Sequence, residues 1–304
     1  MAENEFGKVA VLFGGNSSER DISLISGEAV YNALKIKGVD AHLIDTKEPF
    51  IKRILDEKFN SAWIALHGAE GEDGKIQSLL ELSDIPFTGS RTLSCSLTMN
   101  KLFTKKVLTA NNHETPDFLI LDDTTTFSEI SDTLGSPFVI KPCSQGSSLG
   151  IFIIKDEDQY NEKYLEIDQL NDWIIAEKYF DGPEYTAGFL ADKVLPLVKI
   201  DASNEEFYNY EAKYFSDETK YICPSDLDKD VEECIKKECS VIFELFNIRG
   251  WGRMDFFLNN ENRPVILEIN TVPGMTTHSL VPMAAKEQGI DFNTLCLEIL
   301  KSQP

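Results

Sequence analysis

Apolar and polar positions follow two rhythms along the 304-residue chain, and each change of rhythm marks a change of element. "KVAVLF" (Lys8–Phe13) is the short continuous apolar run of a buried strand, ended by Gly14-Gly15. From Ile22 to Lys37 the residues Ile22, Ile25, Ala29, Ala33 and Ile36 recur at helical spacing, with Gly38 as the stop. "DAHLID" reads as a second strand, Phe50–Phe59 as a helix and "AWIALHG" as a third strand. Strand, helix, strand, helix, strand predicts a parallel, Rossmann-like α/β sheet through about residue 88.

The rhythm then shortens. A helix is predicted from Leu97 to Thr109, carrying Lys101, Lys105 and Lys106. Strand Asp117–Leu121, helix Phe127–Leu134, strand "FVIKP", a Gly/Ser loop, strand "GIFII", a helix and strand "WIIAEKYF" make an α+β block with short antiparallel strands. "EYTAGFLADKVLPLVKI" predicts a hairpin turning around Ala191-Asp192-Lys193. A long helix near Leu227–Phe246, a second hairpin and two closing helices complete the pattern. Three units, 1–88, 89–180 and 181–304, accommodate these elements better than two.

Composition removes several functional classes. Lys and Arg total 29 against 51 Asp and Glu, a formal charge of −22, which argues against nucleic acid or an anionic membrane as the main partner. An anionic ligand would need a locally basic site against that background. The six cysteines form no CxxC pair and have no zinc-ligand spacing, so reduced thiols in a cytoplasmic protein are expected. "KVAVLF" is too short for the apolar core of a signal peptide, and no apolar run approaches transmembrane length.

The candidate chemistry sits in four stretches. In "RMDFFLNNENRPVILEINTVPG" a strand from Gly252 to Leu258 turns through Asn259–Pro264 and returns as Val265–Asn270. Alternation puts Glu268 and Asn270 on one face of their strand, and Arg253 and Asp255 on one face of theirs; in-register pairing would let all four converge. Two carboxylates and an amide offer the all-oxygen ligation that Mg²⁺ prefers. A salt-bridged cluster, with Arg253 neutralising the acids, explains the same residues equally well.

"IKPCSQGSSLG" (Ile140–Gly150) joins two strands; its backbone N–H groups could cradle phosphate, with Lys141 as a point charge, or it could be an ordinary hairpin loop. It is not a Walker A motif. "HGAEGEDG" (His67–Gly74) lies at the C-terminal edge of the parallel sheet, where ligands bind, and Asp73 can cap the helix from Lys75. "GGNSSER" brings Glu19 to the same edge, but GxGxxG is absent, which disfavours a nicotinamide enzyme. "NYEAKYFSDETKY" (Asn209–Tyr221) is long and aromatic for a connection, as functional lids often are.

"VLFGGNSSERDIS", "HGAEGEDG", "KP…GSSLG", "YEAKYFSDETKY", "GWGRMDF" and "LEINTVPGMTTHSLVP" stand in the order in which D-alanine–D-alanine ligases carry them, so the chain resembles that family almost end to end. The resemblance implies an ATP-grasp fold: an N-terminal Rossmann-like parallel-sheet domain and two α+β domains enclosing ATP. It implies that Lys101, Lys141 and, from the lid, Lys213 contact the ATP phosphates. Glu177, Lys178, Tyr179 and Phe180 would meet adenine, Glu184 the ribose, and Phe207 would complete the nucleotide pocket. Asp255, Glu268 and Asn270 would hold two Mg²⁺ (or Mn²⁺), with K⁺ as a candidate further ion.

By the same resemblance, Glu19 would bind the first D-alanine's ammonium with His67 near its carboxylate. Glu19, Ser147 and Tyr214 would bridge the first domain, the Gly/Ser loop and the lid. Arg253 and the Gly274 N–H would stabilise the oxyanion, and Ser279 and Leu280 would take the second substrate's carboxylate. The implied activity is ATP-dependent formation of D-alanyl-D-alanine for peptidoglycan synthesis by a cytoplasmic homodimer. A ligase with D-lactate or serine as second substrate is the alternative. A nucleotide-binding regulator without catalysis ranks lower, since Arg253, Glu268 and Tyr214 are all present.

Overall fold

The protein is described from a computed structural model covering residues 5–146, 149–201, 220–276 and 279–303. Its first sheet is parallel, with β1 (Lys8–Phe13) between β2 (Asp40–Asp45) and β3 (Ser61–Ile64). Val9 to Leu12 are wholly buried, which is why the β1 segment is continuously apolar rather than alternating. Pairing of β3 stops at Ile64, short of the expected seven-residue strand, because β1 turns away at Gly14-Gly15, both left-handed.

Helix α1 (Arg20–Ile36) lies on this sheet, but not on the face its large residues suggest. Ile25 and Ile36 are 51% and 70% exposed, whereas Ile22, Ser23, Ser26, Gly27, Val30, Ala33 and Leu34 are buried. Small residues permit the close approach: a side chain at Gly27 would run into the Phe13 ring. Helix α2 (Phe50–Asp56) ends before Phe59, because the chain reverses through left-handed Lys58 and delivers Phe59 to the core beside His42. Helix α3 is Lys75–Leu82 with left-handed Gly74 at its N-cap; Asp73, one residue before, accepts the Lys75 N–H at 3.1 Å but does not take the cap position expected of it.

The single helix expected over Leu97–Thr109 is two, α4 (Thr92–Met99) and α5 (Lys101–Ala110). Asn100 is extended between them, and its side chain accepts the Phe103 N–H at 3.1 Å. It ends one helix and caps the next. Lys101 therefore begins a helix, and its own N–H reaches Cys143 O at 2.9 Å.

The second sheet is antiparallel, in the order β4 (Phe118–Leu121), β7 (Ile174–Lys178), β5 (Phe138–Pro142), β6 (Phe152–Ile154), with α6 (Phe127–Leu134) and α7 (Glu157–Asp168) behind it. The third runs β11 (Lys220–Ile222), β10 (Val198–Asp201), β8 (Glu184–Leu190), β12 (Trp251–Leu258), β13 (Pro264–Asn270), with β9 (Lys193–Val194) also on β8. The β8–β9 turn has Ala191 and Asp192 both left-handed, as a two-residue hairpin turn requires. The returning arm is broken at Leu195-Pro196-Leu197, where proline cannot donate to a ladder, and resumes as β10.

Helix α8 (Lys229–Leu245) covers the third sheet with Ile242 and Phe243 against Phe189, Met254 and Phe256. The closing helices α9 (Leu280–Glu287) and α10 (Phe292–Lys301) return to the first sheet, so Val9, Leu12 and Trp63 share one core with Val281, Leu295 and Ile299. The Trp63 indole N–H donates to Cys296 O at 3.4 Å, and its ring lies 5.4 Å from that of Trp251. Among the described residues no helix is long and apolar enough to cross a membrane, and the six cysteines are free thiols.

Candidate active site

The β12–β13 pair opposes Arg253 to Asn270 and Asp255 to Glu268, so all four side chains share one face, as alternation predicts. A bulge follows, with Phe256 opposite Ile266 and Leu267 as the additional residue. Without it, Ile266 and Glu268, two apart, would point the same way. With it, Ile266 joins Phe256 in the core while Glu268 faces the site.

Asp255 is 2% exposed and fully engaged in compensating contacts. Arg253 donates from Nε to Oδ1 at 2.9 Å and from Nη2 to Oδ2 at 2.7 Å, and Thr186, directly across on β8, donates to Oδ1 at 2.7 Å. Such a two-pronged ion pair offsets the cost of burying both charges. The salt-bridged arrangement that the residue pattern left open is thus present. It fits a divalent cation as well: Asp255 Oδ2, the Glu268 carboxylate with its side chain 32% exposed, and Asn270 Oδ1 are hard oxygen donors on one face. Among the described residues no group of three His, Cys, Asp or Glu gathers that could hold a metal ion without the amide's help.

Facing this hairpin is a row of buried lysines. Lys101 Nζ donates to Gln145 O at 2.6 Å and stands 3.9 Å from Glu268 Oε2. Lys141 and Lys105 take the two oxygens of Glu177, at 2.8 Å and 3.0 Å. Burial lowers the Lys101 pKa against the pull of Glu268, and lowers that of Lys105 to about 8 against the pull of Glu177, with Lys141 adding repulsion in both cases. Burial pushes the Glu177 carboxyl up, but Lys105 and Lys141 together hold it below its usual value. Lys101, Lys105 and Lys141 face Glu177 and Glu268, and Asp255 is already matched by Arg253, so the cleft carries an excess positive charge inside a chain of −22. That is the locally basic site an anionic ligand needs.

The Gly/Ser loop is moored at its base. Asp172 accepts the Ser144 N–H at 2.6 Å and its hydroxyl at 3.3 Å, while Asn100 donates to Ser144 Oγ at 3.1 Å. Cys143 beside it is buried, and burial, with Asp172, pushes its thiol up to about 11, so it is an inert packing group. Farther along, Gly146 meets Glu19: a Cβ there would lie 2.5 Å from Glu19 Oε1, and one on left-handed Gly68 2.9 Å from the same atom. Both glycines are needed for Glu19 to lie between the first sheet and the loop.

His67 is buried at the end of the first sheet. Its Nδ1 lies 3.0 Å from Val272 O and its Nε2 3.0 Å from Ser26 Oγ. Both ring nitrogens therefore have protein partners, and a direct bond to a substrate would require exchanging one of them. Glu72 Oε1 is 3.6 Å from His67 Nδ1 and accepts the Gly68 N–H at 3.2 Å. Its carboxyl is raised by burial, with the Glu19 charge adding and His67 opposing. Ser279 accepts the Thr276 N–H at 2.9 Å and crowds Gly274, whose Cβ would lie 3.0 Å from Ser279 Oγ; buried Leu280 opens α9.

Contacts thus run from Glu177 and Lys141 at one end, through Lys101, the loop and the acidic hairpin, to Glu19 and Gly274. Phe180 stacks on Phe257 at 5.4 Å beyond β7, with Tyr179 beside it, the Lys178 N–H on Asp117 O, and Glu184 at the start of β8. Ser147, Phe207, Lys213 and Tyr214 lie outside the described residues. Sequence reading gave no role to Lys105, Thr186, Asp172, Ser26 or Glu72. Lys105 had a signal: Lys101, Lys105 and Leu108 form one buried stripe of α5 at helical spacing.

The family description "D-ala D-ala ligase N-terminus" matches residues 8–53 and 46–90, and "D-ala D-ala ligase C-terminus" matches residues 114–301. The D-alanine–D-alanine ligase of Laribacter hongkongensis is 43% identical over 300 residues, covering 99% of this chain and 97% of the relative. That of Nitrosomonas eutropha is 44% identical over 301 residues, covering 99% and 98%. The crystal structure of the D-alanine–D-alanine ligase from Bacillus anthracis complexed with ATP matches with a TM-score of 0.85 at 29% identity, over 97% of each chain. The ATP-grasp fold expected from the motifs is borne out. On both family descriptions and on relatives that match over nearly its whole length, the chain belongs to the D-alanine–D-alanine ligase family.

Proposed function

We propose that the protein joins two D-alanines into D-alanyl-D-alanine at the expense of ATP, for peptidoglycan synthesis. The observation that supports it most is the buried lysine row set against the Arg253–Asp255–Glu268–Asn270 face, with Lys101 spanning the gap. The carboxylate of the first D-alanine attacks the γ-phosphorus, ADP leaves, and an acyl phosphate forms. The amine of the second D-alanine attacks its carbonyl, losing a proton as phosphate departs and the peptide bond closes.

The chain's work is positioning and charge stabilisation. Lys101 and Lys141, with Lys213, neutralise the phosphates. Glu177, which also holds Lys141, serves adenine binding with Lys178, Tyr179, Phe180 and Phe207, and Glu184 serves the ribose. Asp255, Glu268 and Asn270 would hold two Mg²⁺, which would screen phosphate charge. Arg253, oriented by its Nε and Nη2 bonds to Asp255, stabilises the developing oxyanion together with the Gly274 N–H. Glu19 takes the first ammonium, and its contact with Gly146 supports a bridge to Ser147 and Tyr214. His67 serves that end by holding the Val272 carbonyl. Ser279 and Leu280, at the start of α9, suit the second carboxylate. The reading includes a cytoplasmic homodimer and a division into 1–88, 89–180 and 181–304.

The test is ADP release from Mg-ATP with D-alanine, L-alanine, or D-alanine plus D-lactate, with products weighed by mass spectrometry. D-alanyl-D-alanine formed only from the D-isomer is expected. A depsipeptide as main product would move the protein to the lactate branch, and no ADP with any pair would sink the ligase reading.

A further inference from the structure

Lys105 is wholly buried; its ammonium donates to Thr115 Oγ1 at 2.8 Å and Pro116 O at 3.4 Å and pairs as an ion with Glu177 Oε1 at 3.0 Å. The Phe118 ring lies beside it at 5.6 Å. An ammonium so enclosed is not presented to a ligand. Burying it is nevertheless costly, and a methionine of similar length would pack there without that cost. What it holds gives the reason.

On one side it holds Glu177, whose other oxygen holds Lys141 at 2.8 Å. Glu177 between two cations stays ionised, and its charge is shared, so Lys141 is fixed in place without being fully neutralised. On the other side Thr115 passes its hydroxyl hydrogen to Ile266 O at 2.8 Å, and the Ile266 N–H returns to Glu114 O at 2.8 Å. Ile266 is the residue at the β13 bulge, two before Glu268. β13 lies at the edge of the third sheet, so these bonds are its outer pairing.

We propose that Lys105 is a positioning residue for the nucleotide: it sets Lys141 through Glu177 and sets the Glu268 strand through Thr115, so that the two sheets grip one ATP in register. This rests on the ATP-dependent reading above. It explains why a lysine stands at the second turn of α5 with no route to the ligand, and why Thr115 is spent on a strand edge rather than on its own turn.

The test is Lys105→Met, with Lys105→Arg as the conservative variant and Thr115→Val as a milder one. Binding of Mg-AMP-PNP is measured by calorimetry alongside ligation kinetics. Lys105→Met should weaken AMP-PNP binding and raise KM for ATP about tenfold while KM for D-alanine moves less than about twofold. Lys105→Arg should recover most of that loss, and Thr115→Val should give about a threefold effect. If Lys105 acts through Glu177, Lys105→Met should add little to Glu177→Gln. Equal losses toward ATP and D-alanine, or a lowered Tm with unchanged AMP-PNP affinity, would overturn the proposal. Should Lys105→Met not fold, unchanged AMP-PNP affinity in Thr115→Val would do so. Wild-type protein that binds Mg-AMP-PNP but forms no dipeptide would refute the ligase reading instead, leaving the Lys105 comparison intact.

Discussion

The Ser26 hydroxyl lies 3.0 Å from Nε2 of His67 and accepts the Met275 N–H at 3.3 Å. Val272 O can only accept, so Nδ1 of His67 carries a hydrogen, and the imidazole ties α1, the end of the first sheet and the segment around Gly274 together. Ser26→Ala strips Nε2 of its hydrogen-bond partner and the Met275 N–H of its acceptor, at a cost of about 2 kcal/mol. It should also lower kcat, because the Gly274 N–H is one residue from the lost contact. Thermal unfolding and steady-state kinetics check this; a lowered Tm with unchanged kcat would confine Ser26 to folding.

The two acids of the hairpin should separate stability from turnover. Asp255→Ala leaves the Arg253 guanidinium without its buried partner and should cost about 3–5 kcal/mol. Glu268→Gln alters a side chain that is one-third exposed, so the fold should survive while ligation with Mg-ATP is abolished. Circular dichroism and ADP release distinguish the two. Activity of Glu268→Gln within a few-fold of wild type would remove Glu268 from the metal site.

Lys105 predicts a pH dependence of stability with a definite sign. Its native pKa is lowered to about 8 from 10.5 in the unfolded chain, chiefly by burial. Between those values the unfolded chain binds more protons, so this contribution strengthens as pH rises and is lost as pH falls through about 8. Its full extent is on the order of 3 kcal/mol. Denaturant unfolding of wild type and Lys105→Met across that window isolates it: the wild-type advantage should grow with pH, and parallel curves would contradict it.

Asp172 holds the first turn of the Gly/Ser loop by the Ser144 N–H and hydroxyl. Asp172→Ala should free that end and raise ATP hydrolysis relative to dipeptide formation several-fold, on the order of 1 kcal/mol in coupling. The ratio of ADP to D-alanyl-D-alanine reads it directly, and an unchanged ratio would show that the mooring does not matter to closure.

The acidic hairpin could be read from the sequence because its chemistry follows the period of two that defines a strand. The bulge at Leu267 could not, since a bulge is a relation between strands and "VILEIN" alternates well enough without it. Asn100 hid for the opposite reason: its neighbours continue a helical apolar pattern, and only its own capping bond divides the helix. In α1 the error was one of size, because large apolar residues were counted where small ones made the contact. The Lys105–Glu177 pair joins a helix to a strand far along the chain, and no local period carries that information.

The sharing of one core by β1, β3 and the closing helices sets an order on synthesis. The carbonyl of Cys296 that receives the Trp63 indole is translated 233 residues after it, and the Thr294 hydroxyl that receives Lys37 257 residues after its partner. Until then the nascent chain holds a strand triplet with much of its apolar surface still wet, a form that sticks to other chains and attracts chaperones. Stalled chains lacking α9 and α10 should be cleaved readily by protease within the first sheet, and full-length chains should resist. The first sheet is finished only by helices translated long after it, so losing those helices undoes strands far upstream.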